Sequence, residues 1–362
     1  MAGFWADGTS SRSPEEVLRR MADVVGHRGP DGHGVWYDAE AGIGLAHRRL
    51  AVLDLSEAGA QPMQSRCGRY VLVLNGEIYN HRELSRQLRR EESFRGHSDT
   101  EVLLEAIAEW GVVEATRRSI GMFAFALWDA EHRTLSLARD RLGEKPLYVG
   151  WQRSTLLFAS ELRSMREHPH WVGNIDRAAF QSYMALSYVP SPNSIIEGIR
   201  KVPPGAVVTF HDPRPGDGVR EVRYWSPDAL LAPREPENVS DDERSKQLER
   251  LLAEVVTSQI HADVPIGAFL SGGIDSSLIV ALMQSRSTQR VRTFTVGFRD
   301  QAYNEAPWAA AVAAHLGTEH CEVYLSDDDL LDVRRAWRRC TMSPSRIHHR
   351  FRRPWCAPHV VA

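Results

Sequence analysis

The chain changes its folding pattern once, and that change limits its architecture more than any other feature. Between Gly26 and Phe210, short apolar or alternating runs are separated by turn residues: "RYVLVLNGEIYN", "FAFALWD", "TLSLARD", "PLYVGW" and "TLLFAS". Runs of this length and period predict short strands in largely antiparallel sheets. Helices are predicted outside those sheets, over 14–25, where Val17, Met21 and Val24/Val25 recur at helical spacing, and near 81–91 and 99–110. Further on the pattern differs. A helix (243–260) leads into "VPIGAFL", a continuous apolar run of the kind found in buried parallel strands. A glycine loop, the helix "SSLIVALMQS" and a second apolar run, "VRTFTVGF", complete a βαβ unit, and "NEAPWAAAVAAHLG" predicts the next helix. With 362 residues, two domains are expected: 1–210 and 243–333, joined by a Pro-, Asp- and Glu-rich linker at 211–242.

Composition removes several function classes. The four cysteines (Cys67, Cys321, Cys340, Cys356) form no CxxC pair, which argues against a zinc site or a disulfide framework. No apolar run approaches membrane-spanning length, and the charged "SRSPEEVLRR" near the start leaves no room for a signal-peptide core, so the cytoplasm is the expected location. His27, His47 and His97 show no metal-ligand spacing, and packing or hydrogen bonding is the reading for each. Net charge is −3, but from Arg334 onward there are eight arginines and no acidic residue. Such a tail could bind nucleic acid, unless it has the second origin described below.

"FLSGGIDSS" (269–277) is the most informative stretch of the second domain. Gly272 and Gly273 carry no Cβ, so the backbone there can approach an anion closely. The following helix points its first N–H groups at the same place, and Ser271, Ser276 and Ser277 add hydroxyls. The GK[ST] ending of a Walker loop is absent. Asp275 is explained by helix capping or by holding Mg2+. A plain Gly-Gly turn before a capped helix is the alternative.

The loop resembles the pyrophosphate-binding motif of the N-type ATP pyrophosphatases, in the "LSGGIDSS" form of asparagine synthetases. That resemblance implies ATP binding by Leu270, Ser271, Gly272, Gly273, Asp275 and Ser276, and by the strand end at Val296 and Gly297, with Mg2+ at Asp275. It also implies that ATP adenylates a carboxylate, that pyrophosphate leaves, and that ammonia displaces AMP.

The first domain is similar to the glutaminase half of glutamine-hydrolysing asparagine synthase. The motifs are "HRGPDG" (27–32), "RRLAVLDLS…GAQPM" (48–63), "NGEIYN" (75–80), "SDTEVLL" (98–104), "ARDRLGEKPLYV" (138–149) and "FASELRSM" (158–165). The fold implied is an N-terminal-nucleophile hydrolase αββα sandwich followed by an α/β ATP-pyrophosphatase-type domain that is incomplete. The resemblance implies a glutamine pocket of Arg49, Leu50, Ala51, Val52, Leu53, Asn75, Gly76, Glu77 and Asp99. Arg49 would hold the α-carboxylate, suiting its bidentate fork, while Asp99 and Glu77 meet the α-ammonium. The Asn75 side chain and Gly76 N–H would form an oxyanion hole. Taken alone, Asn-Gly is equally a hairpin turn, and an arginine beside a strand a surface charge. Glutamine, ATP and aspartate or a similar carboxylate are the implied partners, with neither nucleic acid nor membrane, and a homodimer is left open.

The sequence departs from that family in two places. The family begins Met-Cys-Gly-Ile-Ala-Gly, whose exposed Cys is the nucleophile and whose α-amine is the base. Here Met1 is followed directly by "AGFW", and internal Cys67 cannot substitute. A start codon assigned three residues late is the expected reason. After "HLGTEHCEVYLSDDDLLDV" the family continues through a "YDEPFADSSQIPT"-like segment, whereas this chain has "CTMSPSRIHHRFRR". Permitted codons for Cys340 to Arg353, read from the third base of the Cys340 codon, can encode that family segment. The tail from about residue 334 is therefore expected to be out-of-frame translation. The resulting expectation is an asparagine synthase by family whose activity as written is impaired. The alternatives are an amidotransferase for another carboxylate, or a glutamine-binding fragment without catalysis.

Overall fold

The computed structural model describes residues 1–6, 13–89, 94–216, 218–231, 239–326, 328, 329 and 331. It divides into two compact units, Met1–Ala232 and Pro233–Ala362.

The first unit runs β1 (Ala2–Ala6), α1 (Pro14–Asp23), β2 (Gly32–Asp38), β3 (Ile43–Arg49), β4 (Met63–Gln64), β5 (Tyr70–Ile78), α2 (His81–Gln87), α3 (Asp99–Trp110) and α4 (Val112–Arg118). It continues with β6 (Gly121–Asp129), β7 (Thr134–Arg139), β8 (Tyr148–Gln152), β9 (Thr155–Ala159), α5 (Leu162–Arg166), α6 (Arg177–Leu186), β10 (Ile199–Lys201), β11 (Ala206–Phe210) and β12 (Val219–Arg223). Two six-stranded sheets result, ordered β10-β8-β9-β1-β3-β2 and β12-β11-β7-β6-β5-β4. All their strand pairs are antiparallel.

Strand alternation explains the layering. In β5, Val71 and Val73 face a core shared with Trp5, Ile43, Leu45 and Phe158 of the other sheet. The alternate residues Leu72 and Leu74 pack on Leu103, Leu104 and Ile107 of α3. In β1, Trp5 enters the inter-sheet core, meeting Trp128 edge-on at 5.1 Å between ring centroids. Ala2 and Phe4 turn the other way, onto Val17, Leu18 and Met21 of α1. The unit is thus a four-layer αββα sandwich, as the motifs imply.

One boundary differs from the expectation. The stretch 211–242, expected as linker, contains β12, which pairs with β11 from Ala206↔Arg223 to Phe210↔Val219. Its Arg220, Glu221 and Arg223 are the charged residues that an edge strand tolerates, and they mask the pattern. The Tyr224 hydroxyl then anchors the chain by donating to the Arg139 carbonyl at 2.8 Å.

In the second unit, Ser240 caps α7 (Asp241–Gln259), its hydroxyl accepting from the Glu243 N–H. There follow β13 (Gly267–Phe269), α8 (Ile274–Arg286), β14 (Arg292–Phe298), α9 (Ala306–Leu316) and β15 (Glu319–Leu325). The strands form a parallel sheet in the order β13-β14-β15. Ala253 and Val256 of α7 pack on Leu282, Met283 and Val291, and Leu270 and Val280 pack on Ala309 and Ala313. The arginine-rich tail from residue 334, expected to be out of frame, lies outside the described residues. Among the described residues no helix is long and apolar enough to cross a membrane.

Candidate functional site

In the first unit, three segments carrying the predicted residues come together. The first is the end of β3 and the loop after it. The Arg49 guanidinium donates to the carbonyls of Ser56 (2.8 Å), Leu53 (3.4 Å) and Asp54, curling residues 50–56 around itself. Within that loop Val52 is buried, the Ala51 N–H donates to Asp31 Oδ2 at 3.0 Å, and Leu50 is at the surface. The second segment is β5, where Asn75, Gly76 and Glu77 lie opposite Ala124, Phe123 and Met122 of β6. Gly76 has φ +151°, and a Cβ there would stand 2.0 Å from the Met122 carbonyl oxygen, so only glycine fits. The third is the start of α3. Ser98 caps it, and Asp99 in its first turn is buried. The Asp99 carboxylate accepts from the Ile78 N–H (2.8 Å) and the Thr100 hydroxyl (3.4 Å). The Ile78 bond ties α3 to β5, and a bond from the His97 N–H to Asp54 Oδ2 (2.9 Å) ties the approach to α3 to the Arg49 loop.

Two buried polar atoms stand without a hydrogen-bond partner here: Asn75 Nδ2 and His47 Nδ1. The other ring nitrogen of His47, Nε2, donates to the Leu74 carbonyl at 2.9 Å, which leaves Nδ1 as the lone-pair nitrogen. Burial, helped by the positive chain terminus, lowers the His47 pKa to about 3, against the opposing pull of the Leu74 carbonyl. Met1 comes next to this histidine because Ala2 pairs with Ala46. Its α-amine is buried against the Ser160 hydroxyl (3.3 Å), and burial, then Arg28, pull its pKa down to about 5. Beside it, Glu161 joins Arg28 (3.0 Å), Arg163 (2.9 Å) and His27 (3.4 Å). Burial would raise the Glu161 pKa, but these partners outweigh it and hold it at about 2. Asp99 is the contrary case: both its donors are neutral, and burial pushes its pKa up.

These buried bases predict acid sensitivity. His47 and His168, the latter lowered to about 4 by burial and by His170, are neutral when folded. In the unfolded chain both titrate near the ordinary 6.5, so the unfolded state binds more protons below that pH. The stability they confer is complete above about pH 6.5 and falls with acidification towards pH 3–4, by about 1.4 kcal/mol per pH unit for each histidine. The urea midpoint should drop between pH 7.5 and pH 5, and His168→Gln should make that drop shallower.

In the second unit, the 270–273 loop leaves the C-terminal end of β13 and enters α8. The Leu270 N–H donates to the Phe294 carbonyl of β14 at 2.8 Å, and Val296 and Gly297 lie further along that strand. Gly272 has φ +79°, and a Cβ would meet Trp308 Cβ at 2.7 Å and Ala309 N at 2.8 Å. Gly273 is the N-cap of α8, and Ser271 Oγ and Ser276 Oγ share a hydrogen bond of 2.9 Å. Ser277 Oγ is buried without a partner. Asp275, in the first turn of α8, is exposed. No group of three side chains able to ligate a metal occurs among the described residues.

Of the three histidines considered above, His47 hydrogen-bonds in the interior, His27 joins the Glu161 cluster, and His97 is exposed near Asp54. The sequence reading missed Gln61, whose side chain connects β5 to α3; the only signal was its place in "GAQPM".

Residues 1–225 match the family model described as glutamine amidotransferase domain, and residues 247–349 match that of asparagine synthase. Asparagine synthetase (glutamine-hydrolyzing) 1 of Bacillus subtilis is 35% identical over 319 residues, covering 88% of this chain and 48% of the relative. Asparagine synthetase (glutamine-hydrolyzing) 3 of the same organism is 33% identical, covering 91% and 54%. A putative asparagine synthetase of Mycobacterium tuberculosis H37Rv is 35% identical, covering 90% and 51%. The chain thus spans about half the length of the curated relatives it matches. Among solved structures, glutamine phosphoribosylpyrophosphate amidotransferase from B. subtilis has a TM-score of 0.47 at 14% identity, covering 91% of each chain.

Proposed function

Because the chain belongs to the glutamine-hydrolysing asparagine synthetase family, we propose that its first unit binds glutamine and its second binds ATP, as parts of an ATP-dependent amidation of aspartate. The observation that carries the glutamine half is the unpartnered, buried Asn75 amide nitrogen beside Gly76 on β5, the strand that the Ile78–Asp99 bond ties to α3. In this reading Asn75 Nδ2 and the Gly76 N–H donate to the side-chain amide oxygen of glutamine, and more strongly as it becomes an oxyanion. Three carbonyls hold the Arg49 Nη groups, so in this reading Arg49 meets the α-carboxylate with its positive charge and a single N–H rather than as a bidentate fork. Asp99 and Glu77 take the α-ammonium, a cation that would offset the cost of the buried Asp99 charge.

Hydrolysis also needs a nucleophile. The free cysteines among the described residues, Cys67 and Cys321, are exposed and belong to neither the β3 loop, Asn75–Glu77 nor α3. Residues 1–362 alone are therefore proposed to bind glutamine without turning it over.

ATP fits the loop in the second unit. The left-handed Gly272 opens the backbone, α8 presents its N-terminus, and the Ser277 hydroxyl is buried with a donor to give. Mg2+ would be held mainly by phosphate oxygens, with Asp275 as a single carboxylate. In the proposed reaction the aspartate carboxylate attacks ATP to give an acyl-adenylate and pyrophosphate, and ammonia displaces AMP. Another carboxylate acceptor is the second reading.

Thermal denaturation of the full chain tests both halves. L-Glutamine should raise Tm where L-glutamate does not, and ATP should raise it independently. Gly272→Ala, which forces a Cβ onto Trp308 and Ala309 in a left-handed backbone, should abolish the ATP-dependent rise and leave the glutamine-dependent rise intact.

A further inference from the structure

The residues proposed to contact glutamine lie on separate elements, and one side chain outside that set connects two of them. The ladder between β4 and β5 ends at Met63↔Leu72. Two residues further along β5, at Leu74, side chains take over from the missing strand. Gln61 Oε1 accepts from the Leu74 N–H at 2.7 Å, and His47 Nε2 donates to the Leu74 carbonyl at 2.9 Å. Both polar groups of the residue before Asn75 are thereby fixed.

Gln61 does not stop at β5. Its Nε2 donates to Thr100 Oγ1 at 3.2 Å, and the Thr100 hydroxyl donates to Asp99 Oδ1 at 3.4 Å. Thr100 and Asp99 are both buried, at 4% and 6% exposure, so water competes little for these bonds. Donor and acceptor directions are consistent along the whole path. The amide gives its proton to the threonine oxygen, and the threonine gives its own to the carboxylate. Asp99 Oδ2 meanwhile accepts from Ile78, on the same strand as Leu74. The carboxylate is thus referenced to β5 at two points, once directly and once through Gln61.

We propose that Gln61 is a positioning residue for amino-acid recognition: through Leu74 and Thr100 it holds the oxyanion donors of β5 and the Asp99 carboxylate in one fixed relation. This rests on the glutamine reading. Gln61 touches no substrate in it. Its effect is to aim Asp99 at the α-ammonium while the side-chain amide sits at Asn75 and Gly76, so the residue matters for ligands that use both ends of the pocket.

Calorimetric titration of the full chain with L-glutamine and with 4-carbamoylbutanoate, the same molecule without its α-amine, tests this. Gln61→Met keeps the length of the side chain and removes both hydrogen bonds. It should weaken glutamine binding by about tenfold and leave the desamino analogue within about twofold, because the lost bonds act on a charged contact. Thr100→Val cuts only the link to Asp99 and leaves the Leu74 bond, so it should show the same selective loss, and Thr100→Ser should restore it. Equal weakening of both ligands, or unchanged glutamine affinity in either variant, would overturn the proposal and leave the glutamine pocket standing. No glutamine binding by the unaltered chain would instead overturn the glutamine reading and this proposal with it.

Discussion

Placing Cys-Gly ahead of Met1 is expected to raise ammonia release from L-glutamine sharply. β1 begins beside His47, whose ring bonds to Leu74, the residue before Asn75. Two extended residues span about 7 Å, which carries a new terminal thiol from Met1 towards the proposed oxyanion donors. The Met1 amine itself is poorly suited to act as a base, since burial and Arg28 hold its pKa at about 5. An amine two residues further out, freed from that burial, would return towards 8 and could take the thiol proton at neutral pH. Ammonia release from L-glutamine should be at background for residues 1–362 and at least about a thousandfold higher with Cys-Gly added, an enhancement lost again with Ser-Gly. Background rates from both forms would show that β1 does not point into the pocket.

Replacing Asp99 with Asn should cost glutamine binding about a hundredfold, close to 3 kcal/mol, while sparing the fold. Asparagine has the same shape, and its Oδ1 can still accept from the Ile78 N–H. Only the charge goes. Because burial raises the Asp99 pKa, its carboxylate form destabilises the empty protein above that pKa, so the neutral variant should not lower Tm at pH 7. Arg49→Ala offers a contrast, since it releases the carbonyls of Leu53, Asp54 and Ser56 and should lower both affinity and stability. Titration calorimetry and thermal melts on the two variants separate the effects.

The features legible in the amino-acid sequence were those that periodicity encodes. Val71/Val73 against Leu72/Leu74 is a two-residue alternation, and it fixes which face of β5 meets which layer. β12 was hidden because an edge strand beside solvent keeps Arg220, Glu221 and Arg223, and its alternation disappears among prolines and glycines. The residues proposed to bind glutamine are visible as motifs, yet their connections are not. Gln61 matters because β4 stops opposite Leu72 and leaves Leu74 to be met by a side chain, a fact of register that no local pattern carries. The lowered pKa of His47 likewise arises from burial between packed sheets and from the neighbouring terminus.

Glutamine recognition by residues of β3, β5 and α3, at both its amino-acid end and its amide, is open to direct measurement. Isothermal titration of the full chain at pH 7.5 tests it most directly. Saturable binding of one L-glutamine is expected, with L-glutamate at least about tenfold weaker because a second carboxylate cannot accept from Asn75 and Gly76 as a neutral amide does without burying a charge. Absence of glutamine binding, or equal affinity for glutamine and glutamate, would contradict it.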